Sequence, residues 1–239
     1  MELLLLSNST NAHEGFLSHV TSQIVEFVAG RALVFVPFAL DDWDAYTCRV
    51  RDALVGVDVV GAHEHESLKD AMLSADVLFV GGGNTFRLLS TLQQLDVVDL
   101  LGDRVRAGLC GYIGSSAGTN VACPTIRTTN DMPIVDVDGF GALNLVPFQV
   151  NPHFSELLPP GLMVESRRER ILQFLERSAT PVVGLFEGSW IRVSGSSRTV
   201  EGPAGAIVFT RNGSVQVDPG SSLDRWWGVP VFDDRGPLL

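Results

Sequence analysis

The chain is short of cysteine, of basic charge and of long apolar runs, and each shortage excludes something. Its three cysteines, Cys48, Cys110 and Cys123, cannot all pair and show no metal-ligand spacing. A disulfide framework is excluded, and reduced thiols in a cytoplasmic protein are the plain reading. Seventeen basic residues stand against 28 acidic ones, for a net charge of −11. Nucleic acid and an anionic membrane surface both want a basic patch, so neither is an expected partner. No run approaches the roughly 18 apolar residues of a membrane helix. The four leucines at 3–6 lack a basic segment before them and reach Ser7-Asn8-Ser9 at once, so they read as a core strand rather than a signal peptide. No repeat, low-complexity segment or interdomain linker interrupts the sequence.

What is present is enough apolar material for a full core: 45% of 239 residues. Residues 1–220 are expected to form a single α/β hydrolytic domain. Residues 221–239, with Trp226-Trp227 and two prolines, have no clear period and form a tail of open role. Short apolar runs at 3–6, 32–37, 57–61, 77–80 and 109–113 read as buried strands, nearly continuous as parallel strands are. Between them, 15–28, 43–55, 68–74 and 85–106 carry helical periodicity. The alternation predicts a doubly wound, mostly parallel sheet flanked by helices, with sites gathered at the carboxyl ends of its strands. In the second half, 142–150, 182–185 and 190–193 read as strands and 167–177 as a helix with a charged face. Residues 206–210 and 215–217 flank Asn212-Gly213, the signal of a type I′ hairpin turn.

The richest motif is Tyr112-Ile113-Gly114-Ser115-Ser116-Ala117-Gly118. A serine framed by two glycines, after an apolar run and before a helix, has the form of a nucleophile elbow, whose tightness demands small flanking residues. The glycine frame selects Ser116 over Ser115. A serine nucleophile needs a base, a group to orient that base, and donors for the oxyanion. Of five histidines, His13 and His19 lie in or near the first helix, and His63 and His65 in a charged connection without further ligands. His153, in Asn151-Pro152-His153-Phe154, follows a strand with a proline stiffening the exit, and is the best base. Two acids compete to orient it. Asp131 sits in a polar loop before Pro133, and Glu187 at a strand end beside Gly188; the residues alone do not choose. Gly81-Gly82-Gly83-Asn84-Thr85 follows a strand and opens a helix. It lacks phosphate-loop spacing but suits an oxyanion hole, with one amide from Gly82 or Gly83 and another from Ala117.

Together these segments, with the stretch from Cys123 through Thr128-Thr129-Asn130-Asp131-Met132-Pro133 to Asp136, resemble peptidase family S51, the serine-type aspartyl dipeptidases of peptidase E type. The similarity runs to about Pro219. Departures are Ser115, where some members carry an aromatic, and Phe186, where some have proline. The resemblance implies a fold like that of class I glutamine amidotransferases and hydrolysis of small Asp-X dipeptides through an acyl-enzyme. No cofactor or metal is expected, and the chain is expected to be a monomer or homodimer. Ser116 then matches the nucleophile and His153 the base; Asp131, the more commonly assigned, and Glu187 both match third members. Reading an aspartyl side chain requires a cation, and an arginine's planar fork suits a carboxylate. Arg167 matches an arginine of the family, with Arg170 and Arg127 as alternatives and Asn84 or Thr129 as neutral donors. Two other readings share the elbow: a hydrolase of β-aspartyl or cyanophycin-like peptides, and a non-catalytic small-molecule binder.

Overall fold

Two sheets organise the chain in the computed structural model, which describes residues 1–156 and 165–226. The first is built from β1 (Glu2–Leu6), β2 (Leu33–Val36), β3 (Val59–Gly61), β4 (Val77–Val80), β5 (Gly111–Ser115), β8 (Trp190–Ser194) and β9 (Ser197–Glu201). Its order is β3-β2-β4-β5-β1-β8-β9. The first five are parallel neighbours, while β8 and β9 run antiparallel. The leucine run of β1 shows why these strands are apolar throughout. Leu3 and Leu5 enter the core on one face, Leu4 and Leu6 the core on the other, all at 0% exposure. A strand covered on both faces has no polar side to offer.

Helices α1 (Thr21–Val28) and α2 (Trp43–Ala53) cover one face, burying Ile24, Phe27, Val28, Tyr46 and Val50. Against the other lie α3 (Leu68–Ser74), α4 (Thr85–Gln94), α5 (Val98–Arg106) and α6 (Ala117–Ala122). The second sheet joins the core on that same face through Val150, Val183, Leu185 and Val208. It consists of β6 (Gln149–Phe154), β7 (Val182–Phe186), β10 (Ala206–Thr210) and β11 (Gly213–Val217), in the order β11-β10-β7-β6. Helix α7 (Arg167–Arg177) packs Ile171 and Leu175 against it and is closed at its start by a capping box between Ser166 and Glu169.

Several expected boundaries shift for local reasons. The helix expected at 15–28 begins only at Thr21, because Leu17 takes a left-handed φ of 59° and gives its N–H to Ser9. The run 85–106 is two helices, broken where Asp96 turns to φ 51°. Aspartate tolerates that region, which a continuous helix does not use. Residues 142–148 are apolar but form no strand: the amides of Ala142, Leu143 and Leu145 bond to the carbonyls of Pro124, Val121 and Ala122 around the end of α6. Leu109, 63% exposed, lies outside β5, which starts at Gly111. The hairpin forms, but its loop is Arg211-Asn212 and the positive φ falls on Gly213 at 133°, so it is not a type I′ Asn-Gly turn. Strand β9, polar in sequence, was not anticipated. The start of the tail is bound to it: Leu223 is fully buried with its N–H on Arg198, and Asp224 pairs with Arg198 at 3.1 Å. Residues 227–239, including Trp227, lie outside the described residues.

Candidate active site

The carboxyl ends of β1, β4 and β5 lie side by side, and the elbow stands at the last of these. Ser116 has φ 50° and ψ −103°, the strained turn between β5 and α6. It is held by its own N–H to Leu6 O, and by the Thr119 hydroxyl on Leu6 O and Gly114 O. The second frame glycine is required by space: a Cβ on Gly118 would fall 2.1 Å from Val80 O. Ser115 is fully buried and its hydroxyl has no partner among the described residues, whereas Ser116 reaches the surface of a cleft.

His153 arrives from the second sheet. Between the pairs Asn151–Gly184 and Phe154–Phe186, β6 carries one residue more than β7, a bulge that re-aims the side chain. His153 sits at φ 54°, and its N–H is held by the hydroxyl of Ser7, which in turn donates to Leu185 O. The ring then lies between two partners. Nε2 is 2.9 Å from Ser116 Oγ, and Nδ1 is 2.8 Å from Glu187 Oε1. A carboxylate only accepts, so Nδ1 carries the proton and Nε2 is left to accept from the serine hydroxyl.

Asp131 is elsewhere. Its Oδ2 accepts from the Thr85 N–H at 2.8 Å, the Thr85 hydroxyl at 2.5 Å and the Thr129 hydroxyl at 3.1 Å, tying the 129–131 loop to the start of α4. It lines the same cleft as Ser116, but its hydrogen bonds do not include His153.

The glycine turn divides similarly. The Gly82 N–H is already donated to the buried Tyr46 hydroxyl at 2.8 Å. Among the described residues the amides of Gly83 and Ala117 have no acceptor. Gly83 has φ 135°, and a Cβ there would lie 2.5 Å from Ala39 O. Burial pushes the Tyr46 phenol up to about 12, against the opposing pull of the Gly82 N–H and the Arg49 charge.

The cleft has a volume of about 480 Å³. Arg167, at the first turn of α7, lines it half-buried and spends one N–H on Pro152 O at 2.9 Å. Desolvation lowers its pKa, while the charges of Glu187 and Asp131 raise it. Arg170 is exposed, pairs with Glu165 at 2.8 Å and lines a neighbouring groove with Arg127, which lies over the Phe140 ring. Asn84 is consumed as the N-cap of α4 and by Met132 O. Of the expected substrate contacts, the structure brings Arg167 and Thr129 to the cleft and leaves Arg170 and Asn84 outside it. Among the cleft residues that escaped the sequence reading are Tyr46, Arg49 and Asn120, whose buried Oδ1 has no partner among the described residues. The first two carry helix-interior periodicity and nothing else; Asn120, four residues after Ser116, was findable from the elbow.

A serine on a strand-to-helix elbow of a mostly parallel sheet, bonded to a histidine that is bonded to a carboxylate, defines a serine hydrolase of α/β type. The chain belongs to peptidase family S51, whose model matches residues 3–200. It is 49% identical over 241 residues to peptidase E of Streptomyces coelicolor, covering 99% of each chain. It is 46% identical to peptidase E of Salmonella typhimurium, covering 87% of this chain and 93% of the relative. The fold is shared with a crystal structure of a peptidase from an acI-B1 actinobacterium, with TM-score 0.66 at 14% identity over 93% of this chain and 96% of the other. Among the described residues no helix is long and apolar enough to cross a membrane.

Proposed function

We propose that this peptidase removes an amino-terminal aspartate from dipeptides, with Ser116 as nucleophile, His153 as general base and acid, and Glu187 orienting the imidazole. The observation that carries this reading is the hydrogen-bond chain Glu187–His153–Ser116, whose His153 and Ser116 line one cleft with the half-buried Arg167. Ser116 Oγ attacks the aspartyl carbonyl carbon as His153 Nε2 takes its proton. The oxyanion is met by the amides of Gly83 and Ala117, each such donor being worth about 3–4 kcal/mol. As the C–N bond breaks, His153 returns the proton to the leaving amine. Water, deprotonated by His153, then cleaves the ester and Ser116 regains its proton.

Two of the substrate's three charges have counterparts here. Arg167 keeps donors for the side-chain carboxylate after its bond to Pro152. The free ammonium finds acceptors in Asn120 Oδ1 and in Asp131 Oδ1, neither of which has a hydrogen-bond partner among the described residues. Asp131 thus anchors substrate and loop rather than the imidazole. Unpaired Cys48, Cys110 and Cys123 fit a cytoplasmic setting.

Asp-Leu and its neutral isostere Asn-Leu test the assignment of Arg167. Arg167→Ala is expected to lower kcat/KM on Asp-Leu by about 2 kcal/mol, roughly 30-fold, and on Asn-Leu by much less. Equal losses on both would remove Arg167 from side-chain recognition.

A further inference from the structure

The cleft has a second cation that the reaction described above does not use. Arg49 lies on α2 one turn after Tyr46, is exposed, and stacks its guanidinium 4.2 Å from the centre of the Phe16 ring. Several arginines of this acidic chain sit on carboxylates, among them Arg87 on Asp41 and Arg168 on Glu156. Arg49 and Arg167, the two arginines that line the cleft, have no such partner among the described residues.

The two approach from opposite faces of the first sheet. Tyr46 of α2 belongs to the core on one face; Arg167 comes from α7 and the second sheet, which covers the other. Ser116, at the carboxyl end of β5, lines the same cleft as both. An Asp-X dipeptide carries one carboxylate on each side of its scissile bond: the aspartyl side chain on the acyl side, and the free α-carboxylate on the leaving residue. With Arg167 taking the first, we infer that Arg49 takes the second, so that the α2 face is the subsite of the leaving residue and makes the enzyme a dipeptidase rather than a general aspartyl aminopeptidase.

The surroundings suit that role. Phe16 fixes the guanidinium plane by stacking on it and leaves its edge N–H groups for a carboxylate. The Tyr46 hydroxyl accepts from Gly82, and its own proton has no acceptor among the described residues, so it is a second donor at the cleft wall. A longer peptide has an amide in place of that terminal carboxylate and forfeits the charge-assisted pair.

This inference rests on the dipeptidase reading, and one experiment separates the two. Steady-state kcat/KM is measured for Asp-Leu and for Asp-Leu amide, which differ only in the terminal charge, with the wild-type protein, Arg49→Ala and Arg49→Lys. The wild type is expected to prefer the free acid by about 10- to 100-fold, expressed in KM. In Arg49→Ala the acid-to-amide ratio is expected to fall close to one, with partial recovery in Arg49→Lys. A ratio unchanged by Arg49→Ala, or a wild type indifferent to the terminal charge, overturns the subsite. A wild type inactive on both substrates overturns the dipeptidase reading and the subsite with it.

Discussion

Ser116→Ala is expected to reduce kcat on Asp-Leu about a million-fold while leaving the melting temperature unchanged. The size follows from how a serine, its base and the orienting acid act as one unit: without the oxygen there is no acyl-enzyme, and only binding and oxyanion stabilisation remain. Stability is spared because, among the described residues, the side chain's one hydrogen bond is to His153, while the strained backbone at φ 50° is held by Leu6 and Thr119. Alanine keeps the same Cβ and the same strain. Ser115 offers no substitute, being fully buried. Dipeptide hydrolysis by the purified variant, beside its thermal melt, checks both halves. Turnover within tenfold of wild type would place the nucleophile elsewhere.

The second large effect separates the two acids. Glu187→Ala is expected to lower kcat about ten-thousand-fold with KM and stability nearly unchanged, since an imidazole without its orienting carboxylate loses both tautomer and direction. Its side chain is 57% exposed, so its removal opens no cavity. Asp131→Ala is expected to behave differently. It strands the Thr85 N–H and hydroxyl, while the Thr129 hydroxyl keeps Thr85 Oγ1 as acceptor, costing about 1–3 kcal/mol of stability, and it raises KM for substrates with a free amine. Kinetics and melts of the two variants side by side decide the matter. A ten-thousand-fold loss of kcat in Asp131→Ala at wild-type stability, with Glu187→Ala within tenfold of wild type, would reverse the roles.

Features set by local sterics were legible in the sequence. The elbow could be read because a turn that brings position 118 against Val80 admits only glycine, and the Leu3–Leu6 run because a strand buried on both faces must be apolar. His153 could be found by elimination, but not the reason it points at Ser116, since the bulge in β6 and the Ser7 hydroxyl come from segments far apart in the chain. The choice between Asp131 and Glu187 was invisible for the same reason: a polar-loop acid and a strand-end acid are equally plausible partners in sequence, and only the pairing of β6 with β7 brings one to the imidazole. The amides of the glycine turn looked equivalent until Tyr46, a core aromatic by its spacing, took one of them. Arg49 had the pattern of an ordinary solvent-facing helix residue. The 142–148 run was misread as strand because its amides serve the end of α6, which periodicity does not report.

The central claim is that Ser116, activated by His153, is the nucleophile of a site that holds an amino-terminal aspartyl residue. Its most direct test is peptide-mapped mass spectrometry after treatment with a serine-directed fluorophosphonate, with and without Asp-Leu. One adduct on Ser116 is predicted, slowed by Asp-Leu but not by Leu-Leu. No adduct, an adduct on another serine, or labelling indifferent to Asp-Leu would contradict the account.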